Sequence, residues 1–224
     1  MSERLPMFPL NSVVYPGLPV PLRVFEDRYR ALVAYLLREP DPTRRLFGTV
    51  AIREGYEVGE RGRQSLYRVG CLLQLTDVEQ HRDGTYSIEA VGRDRLRLHE
   101  LDSSGDHPVG LVDVLGDHEG PVEVVPPEVE DAARRTFERY CGALASVGLE
   151  AYDGRLPRDP GYLSWTLASC APLPLHDRQK LLEADGVASR LQLVTSLLRS
   201  ELRAMQALPS LPASEIARTR WSPN

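Results

Sequence analysis

The sequence predicts an α+β protein, a small curved β-barrel followed by a bundle of helices, and three observations carry that prediction. Between Leu46 and Leu115, apolar and polar residues alternate with the period of two that strands require, in several runs divided by turn residues. From Val129 to Met205 the apolar spacing changes to three and four, the period of helices that bury one face. Between these regimes lie Gly120-Pro121 and Pro126-Pro127, a break that discourages a central strand or a continuous helix. The expected organisation is a barrel over residues 1–122, a helical bundle over 123–207 and a flexible tail over 208–224, which has prolines and no period.

The chain opens with two apolar, proline-spaced extended runs. Pro9, Pro16, Pro19 and Pro21 lack an amide donor and fix φ near −65°, so they suit turns and sheet edges. A helix is expected from Phe25, with Phe25, Tyr29, Leu32, Val33 and Leu36 on its inner face, Glu26 and Arg30 paired outside, and Pro40 as its stop. Leu46 to Ile52 is β-branched and apolar, a strand buried on much of both faces. Glu54 to Ser65, rich in glycine and charge, reads as an exposed loop. A long strand from Tyr67 to Val78 sets Cys71, Leu73 and Leu75 against Leu72, Gln74 and Thr76. Arg82-Asp83-Gly84 then forms a hairpin turn, and the return strand puts Tyr86, Ile88 and Ala90 on one face. Leu96 and Leu98 alternate with Arg95 and Arg97, and Val109 to Leu115 is the last strand, after a polar turn at Asp102 to Asp106.

The second half gives a first helix with Val129, Ala133, Phe137, Tyr140, Cys141 and Leu144 on one face and Gly148 past its end. Asp159-Pro160 opens the next, Asp as cap and Pro in the first turn, with Leu163, Leu167 and Cys170 inward. A short helix follows near Asp177 to Ala184. The last starts near Val187 and places Leu191, Val194, Leu198, Leu202 and Met205 on one stripe.

The opening phrase LPMFPLNSVVYPGLPVPLRVFEDRYRALV closely resembles the start of the Lon N-terminal, substrate-binding domain family. Pro9-Leu10, Pro16-Gly17, Pro21-Leu22, Phe25-Glu26 and Arg28-Tyr29 match its spaced pattern in order. The likeness continues through Phe47-Gly48, the strand near Val69 to Leu75 and the segment Val91-Gly92-Arg93-Asp94-Arg95-Leu96, and covers roughly residues 5 to 207. It implies that the barrel is PUA-like and that the chain resembles a free-standing substrate-binding domain without the motor and peptidase of full-length Lon. The implied partners are unfolded or specific polypeptides, with a separate ATPase or protease as a further candidate.

Composition excludes several function classes. Of 224 residues 42% are apolar and 26% charged, and no run of about 18 apolar residues exists, so a membrane span is not expected. The N-terminus MSERLPMFPL lacks a basic region followed by a continuous apolar stretch, which points to a cytoplasmic chain rather than a secreted one. Three widely spaced cysteines, Cys71, Cys141 and Cys170, argue for buried thiols instead of a disulfide framework. A net charge of −5 argues against nucleic acid as a general partner. Lys180 is the sole lysine among 27 basic residues and sits in Asp-Arg-Gln-Lys-Leu-Leu, so neither a phosphate-binding Gly-Lys-Ser/Thr loop nor a Ser-Lys dyad has its lysine.

No catalytic residue, cofactor site or metal site is expected. His107 and His118 each follow Gly-Asp, but they flank a strand of about nine residues, roughly 30 Å at about 3.3 Å per residue, too far to share a metal. No Cys-x-x-Cys supports a zinc, and Gly-x-Ser-x-Gly is missing. Partner-binding candidates are Arg93, Arg95 and Arg97, which a regular strand would project from one side within about 14 Å. The competing reading is a solvated face neutralised by Glu89 and Glu100. Tyr56, Tyr67 and Tyr86, with Tyr162 and Trp165, are the aromatic candidates for a peptide-binding surface, against an ordinary place in the core. An RNA- or nucleotide-binding module is the alternative function, with the arginine strand as its sequence support.

Overall fold

The computed structural model describes residues 2–53, 66–116 and 124–207. Residues up to 116 belong to one compact unit and those from 124 to 207 to another, each treated by itself below. The first is built from β1 (Glu3–Pro6), β2 (Pro19–Val24), α1 (Asp27–Leu36), β3 (Leu46–Ile52), β4 (Leu66–Gln80), β5 (Tyr86–Asp102) and β6 (Val109–Val114), with one 3-10 turn at Pro42–Arg44. The strands form one antiparallel sheet in the order β1-β6-β5-β4-β3, and β2 joins β5 beside that path. Chain just after β1 runs parallel to β3, through Phe8 N–H to the Gly48 carbonyl (2.8 Å) and Leu10 N–H to the Val50 carbonyl (3.0 Å), which closes the sheet on itself. The barrel and the later helices are the α+β architecture that the sequence predicts.

Prolines place β2. Pro19 and Pro21 share one parity, opposite to that of Val20, Leu22 and Val24, so the amides that bond β5 come from residues that have them. The strand's other edge then lacks two donors, which suits a position with no further neighbour among the described strands. Its exposure alternates with the same period, prolines outside and Val20, Leu22 and Val24 inside.

Two apolar clusters fill the unit, on opposite faces of β4. One gathers Tyr29, Leu32, Val33 and Leu36 of α1 with Val24, Phe47, Cys71, Leu73, Leu75 and Ile88. The other joins Met7, Val50, Leu72, Leu96, Leu98 and Val112. Leu72 therefore packs although the sequence set it on the less apolar side; closure of the sheet gives β4 two buried faces from Gly70 to Leu73. Phe8 stacks on Tyr29 with ring centroids 4.0 Å apart and planes within 8°.

Three local expectations are corrected. Phe25 precedes the helix cap Glu26 and is 47% exposed, so the inner face of α1 starts at Tyr29. Glu26 pairs with Arg28 at 2.7 Å and Asp27 with Arg30 at 2.9 Å, not Glu26 with Arg30, because Glu26 lies outside the helical spacing the pair requires. The hairpin turn closes through Gly84 N–H to the His81 carbonyl at 3.0 Å, and Gly84 alone has positive φ (80°) there. Arg82 and Asp83 occupy its centre, and the Asp83 carboxylate accepts from Thr85 N–H (3.0 Å) and Oγ1 (2.7 Å), which holds it below its ordinary pKa. The expected loop at Glu54 to Ser65 and the tail at 208–224 lie outside the described residues.

The second unit holds α2 (Pro127–Ser146), α3 (Pro160–Cys170), α4 (Leu175–Glu183) and α5 (Val187–Ala207). Pro127 takes the first helical position of α2, so the paired prolines start the helix as well as ending the preceding chain. Gly148, at φ 74°, terminates α2 in a left-handed cap with Leu149 N–H on the Leu144 carbonyl (3.1 Å). Asp159 caps α3 by accepting from Tyr162 N–H at 2.9 Å. α5 packs against each of the other three helices, and Leu191, Val194, Leu198 and Leu202 form its buried stripe. α3 is buried on most sides, Ser164 and Thr166 included, so its single inner face is wider than spacing alone suggested. Those hydroxyls bond the Gly161 and Tyr162 carbonyls at 2.7 and 2.8 Å, which satisfies them without water.

Candidate functional site

Arg93, Arg95 and Arg97 lie on the longest strand, but it is not regular where they sit. On β4, Cys71 and Leu73 are two residues apart; their β5 partners, Arg95 and Gly92, are three apart, so β5 carries an extra residue between them. Arg95 faces across from Cys71 and Arg97 from Val69, whereas Arg93 turns to the opposite face and holds the Gln74 side-chain oxygen through Nε (2.9 Å) and Nη2. The expectation of one three-guanidinium row is thereby corrected: the bulge divides it into Arg93 on one face and Arg95 with Arg97 on the other. On its other side Arg97 faces Asp113 of β6. That carboxylate accepts from Ser2 Oγ at 2.8 Å and meets His99 Nε2 at 2.8 Å, contacts that hold it below the ordinary carboxylate range.

The aromatic candidates are not brought together. Tyr67 is the second residue of β4 and lies under the Arg53 guanidinium at 4.8 Å. Tyr86 begins β5 opposite Gln80 and packs against the α1 cluster, so some 13 residues of β4, about 40 Å of strand at about 3.3 Å each, separate the two tyrosines. Tyr56 lies outside the described residues, as does His118. In the helical unit Tyr162 is 58% exposed, while Trp165 is buried beneath Arg190, whose guanidinium carbon stands 3.3 Å from the ring centroid. Arg190 is itself buried and donates from Nε to Ser164 Oγ at 2.8 Å.

One constellation missed from sequence is Ser87, His81 and Glu79 on the β4–β5 hairpin. His81 Nε2 is 2.8 Å from Ser87 Oγ, and its Nδ1 is 3.9 Å from Glu79 Oε1. That order matches a nucleophile, base and orienting acid, but the second link exceeds hydrogen-bond length. Ser87 also sits between two strands, near the start of β5 and paired with Arg23 on one side and Glu79 on the other, so its backbone belongs to the ladder and not to an oxyanion hole. Among the described residues no three His, Cys, Asp or Glu side chains gather as a metal site would need. Burial raises the pKa of the Cys141 and Cys170 thiols, which keeps them from acting as ready thiolates. Lys180 is engaged by Asp177 at 2.9 Å on α4.

A closed β-barrel with one packed helix, joined in the same chain to a separate helical unit, defines a two-unit α+β class. Comparison with known proteins gives the class its family: residues 4–200 match the model of the ATP-dependent protease La (LON) substrate-binding domain, and the chain belongs to that family. It is 30% identical over 217 residues to Lon protease 2 of Syntrophobacter fumaroxidans, covering 92% of this chain and 25% of that protein. Lon protease of Escherichia coli is 28% identical over 218 residues, 92% of this chain and 26% of its own length. The chain thus spans about a quarter of the Lon proteases it matches. Among solved structures, the Lon N-terminal domain protein from Xanthomonas campestris aligns over 94% of this chain and 99% of that one, with TM-score 0.62 and 25% identity. The N-terminal domain of Mycobacterium avium complex Lon protease aligns over 88% and 98%, with TM-score 0.58 and 17% identity, a likeness of fold. Among the described residues no helix is long and apolar enough to cross a membrane.

Proposed function

We propose that this chain is a non-catalytic polypeptide-binding module that recruits unfolded or specific protein segments, in the service of protein quality control. The observation that supports it most is the family match over residues 4–200, which takes in both folded units and not the barrel alone. The sole lysine, needed by either a nucleotide-phosphate loop or a Ser-Lys dyad, is tied to Asp177 on a helix, so within this sequence the chemistry falls to a partner. A separate ATPase or protease is the partner that this division of labour calls for.

The test is a pair of titrations, labelled unfolded peptide and labelled single-stranded RNA, each at two salt concentrations, alongside an ATP hydrolysis assay. Peptide binding that follows the peptide's aromatic and aliphatic content, with no ATP turnover, is the expected result. RNA binding that falls with a slope of about −0.7 in log K against log salt for each phosphate neutralised, without peptide binding, would overturn the proposal. So would ATP hydrolysis or proteolysis abolished by a point change in this chain.

A further inference from the structure

We infer that the groove between α2 and α5 is a docking site for an extended, acidic polypeptide segment, read by Arg199 and Arg203. This rests on the polypeptide-binding reading and gives it a place and a ligand chemistry. The groove has a volume of about 410 Å³, with Glu128 and Val129 of α2 on one side and Gln192, Ser196, Arg199 and Arg203 of α5 along the other. α5 thus carries two stripes: Leu191, Val194, Leu198 and Leu202 enter the core, while Gln192, Ser196, Arg199 and Arg203, spaced four, three and four apart, are exposed along the groove.

Charge and place together mark these two arginines, the basic residues that line the groove. Several basic residues of this unit are engaged: Arg134 by Glu130 at 2.7 Å, Arg135 by Asp131 at 3.6 Å, Lys180 by Asp177 at 2.9 Å and Arg190 on Trp165 at 3.3 Å. Arg199 and Arg203 pair with no described residue. Two guanidinium groups a helical turn apart in a groove with hydrogen-bonding Gln and Ser side chains suit carboxylates.

Spacing then selects the ligand's form. Arg199 and Arg203 are four residues apart, a rise of about 6 Å, and alternate side chains of an extended peptide recur on one face about 6.8 Å apart. From Gln192 to Arg203 the stripe is about 16 Å long, room for roughly five extended residues. Glu128 opposes a ligand that is negative on every side, which favours a peptide with acidic residues at alternate positions over a nucleic acid.

The experiment measures fluorescence anisotropy of the full chain with four probes of about ten units: alternating Glu and Ala, alternating Lys and Ala, an uncharged peptide rich in Leu and Phe, and single-stranded RNA. The expected result is that the Glu peptide binds about tenfold tighter than the Lys peptide at about 50 mM salt and weakens at about 500 mM. Arg199→Ser with Arg203→Ser should lose about that tenfold while keeping the circular dichroism spectrum and the binding of the uncharged peptide. Arg199→Glu with Arg203→Glu should turn the preference toward Lys. Unchanged Glu-peptide affinity in the folded Ser variant overturns the inference, as does RNA binding tighter than the Glu peptide and lost in that variant. If the uncharged peptide binds and the Glu peptide does not, this groove is refuted and the polypeptide-binding reading stands; if no peptide binds, both fall.

Discussion

The inner face of α1 is tested by removing one side chain that the sequence and the structure both bury and one on which they differ. Leu32 is fully buried among Tyr29, Val33, Leu36, Val24 and Leu73. Leu32→Ala deletes three carbons, about 2.4 kcal/mol of transfer free energy at about 0.8 kcal/mol per buried methylene. The core is close-packed and collapses only in part, so the residual cavity raises the total to about 3 to 5 kcal/mol. Phe25 is 47% exposed and precedes the helix, so Phe25→Ala should cost about 1 kcal/mol or less. Urea denaturation followed by far-UV circular dichroism and by tyrosine fluorescence measures both. The expected signature is a lower midpoint for Leu32→Ala with an unchanged slope, and a small shift for Phe25→Ala. Equal losses for the two variants, or a Leu32→Ala loss under about 0.5 kcal/mol, would refute the placement of α1 on the barrel.

Other perturbations read different parts of the molecule. A Cβ at Gly92 would run into the backbone carbonyl oxygen of Tyr15, whereas at Gly48 its nearest neighbour is the flexible Met7 side chain, 2.5 Å from Sδ; Gly92→Ala should therefore destabilise by about 3 kcal/mol and Gly48→Ala by about 1, as thermal melts would show. The bonds from His99 and Ser2 lower the Asp113 pKa, so its stabilising contribution is present above the ordinary carboxylate pKa and lost as pH falls through the depressed folded value. Carboxyl NMR titration should show that pKa rising in Ser2→Ala and again in His99→Gln, and no rise in either would contradict the contact. Burial pushes the Tyr29 phenol up to about 12, ahead of opposing help from Arg28, so the stability it contributes is intact below pH 10 and disappears as pH rises through the folded value. Absorbance titration near 295 nm should leave at least two tyrosines un-ionised past pH 11, Tyr29 and Tyr140, both raised by burial, and Tyr29→Phe should remove one of them.

Period made the elements legible. Alternation in β4 and β5, the i, i+3, i+4 stripe of α5 and the Asp159-Pro160 cap are local patterns, and each element appears where its pattern lies. Pairing between distant segments was not written in any one pattern. Nothing local in Met7 to Leu10 says that it will run beside β3, yet that pairing turns Leu72, Leu96 and Leu98 from one side of an open sheet into the lining of a second core. Phe25 failed for a smaller reason: a helical wheel extended one residue beyond the cap assigns a face to a side chain that is not on the helix.

The candidate surface was harder to read, because a surface depends on register as well as on sequence parity. Arg93, Arg95 and Arg97 share parity, and a regular strand would align them; a single extra residue between the partners of Cys71 and Leu73 is enough to send Arg93 to Gln74 and away from the other two. The arginine pair on α5 was available in the sequence, since residues 192, 196, 199 and 203 repeat as regularly as the apolar stripe beside them. Regular polar spacing alone describes any solvated helix face. What distinguishes this one is tertiary: α2 rises beside it to make a groove, and no described carboxylate pairs with either guanidinium. A helix interior holds its register with no bulge to interrupt it, so Arg199 and Arg203 keep the spacing that the barrel arginines lose, and a ligand that reads two charges at a fixed distance is better served by α5 than by β5.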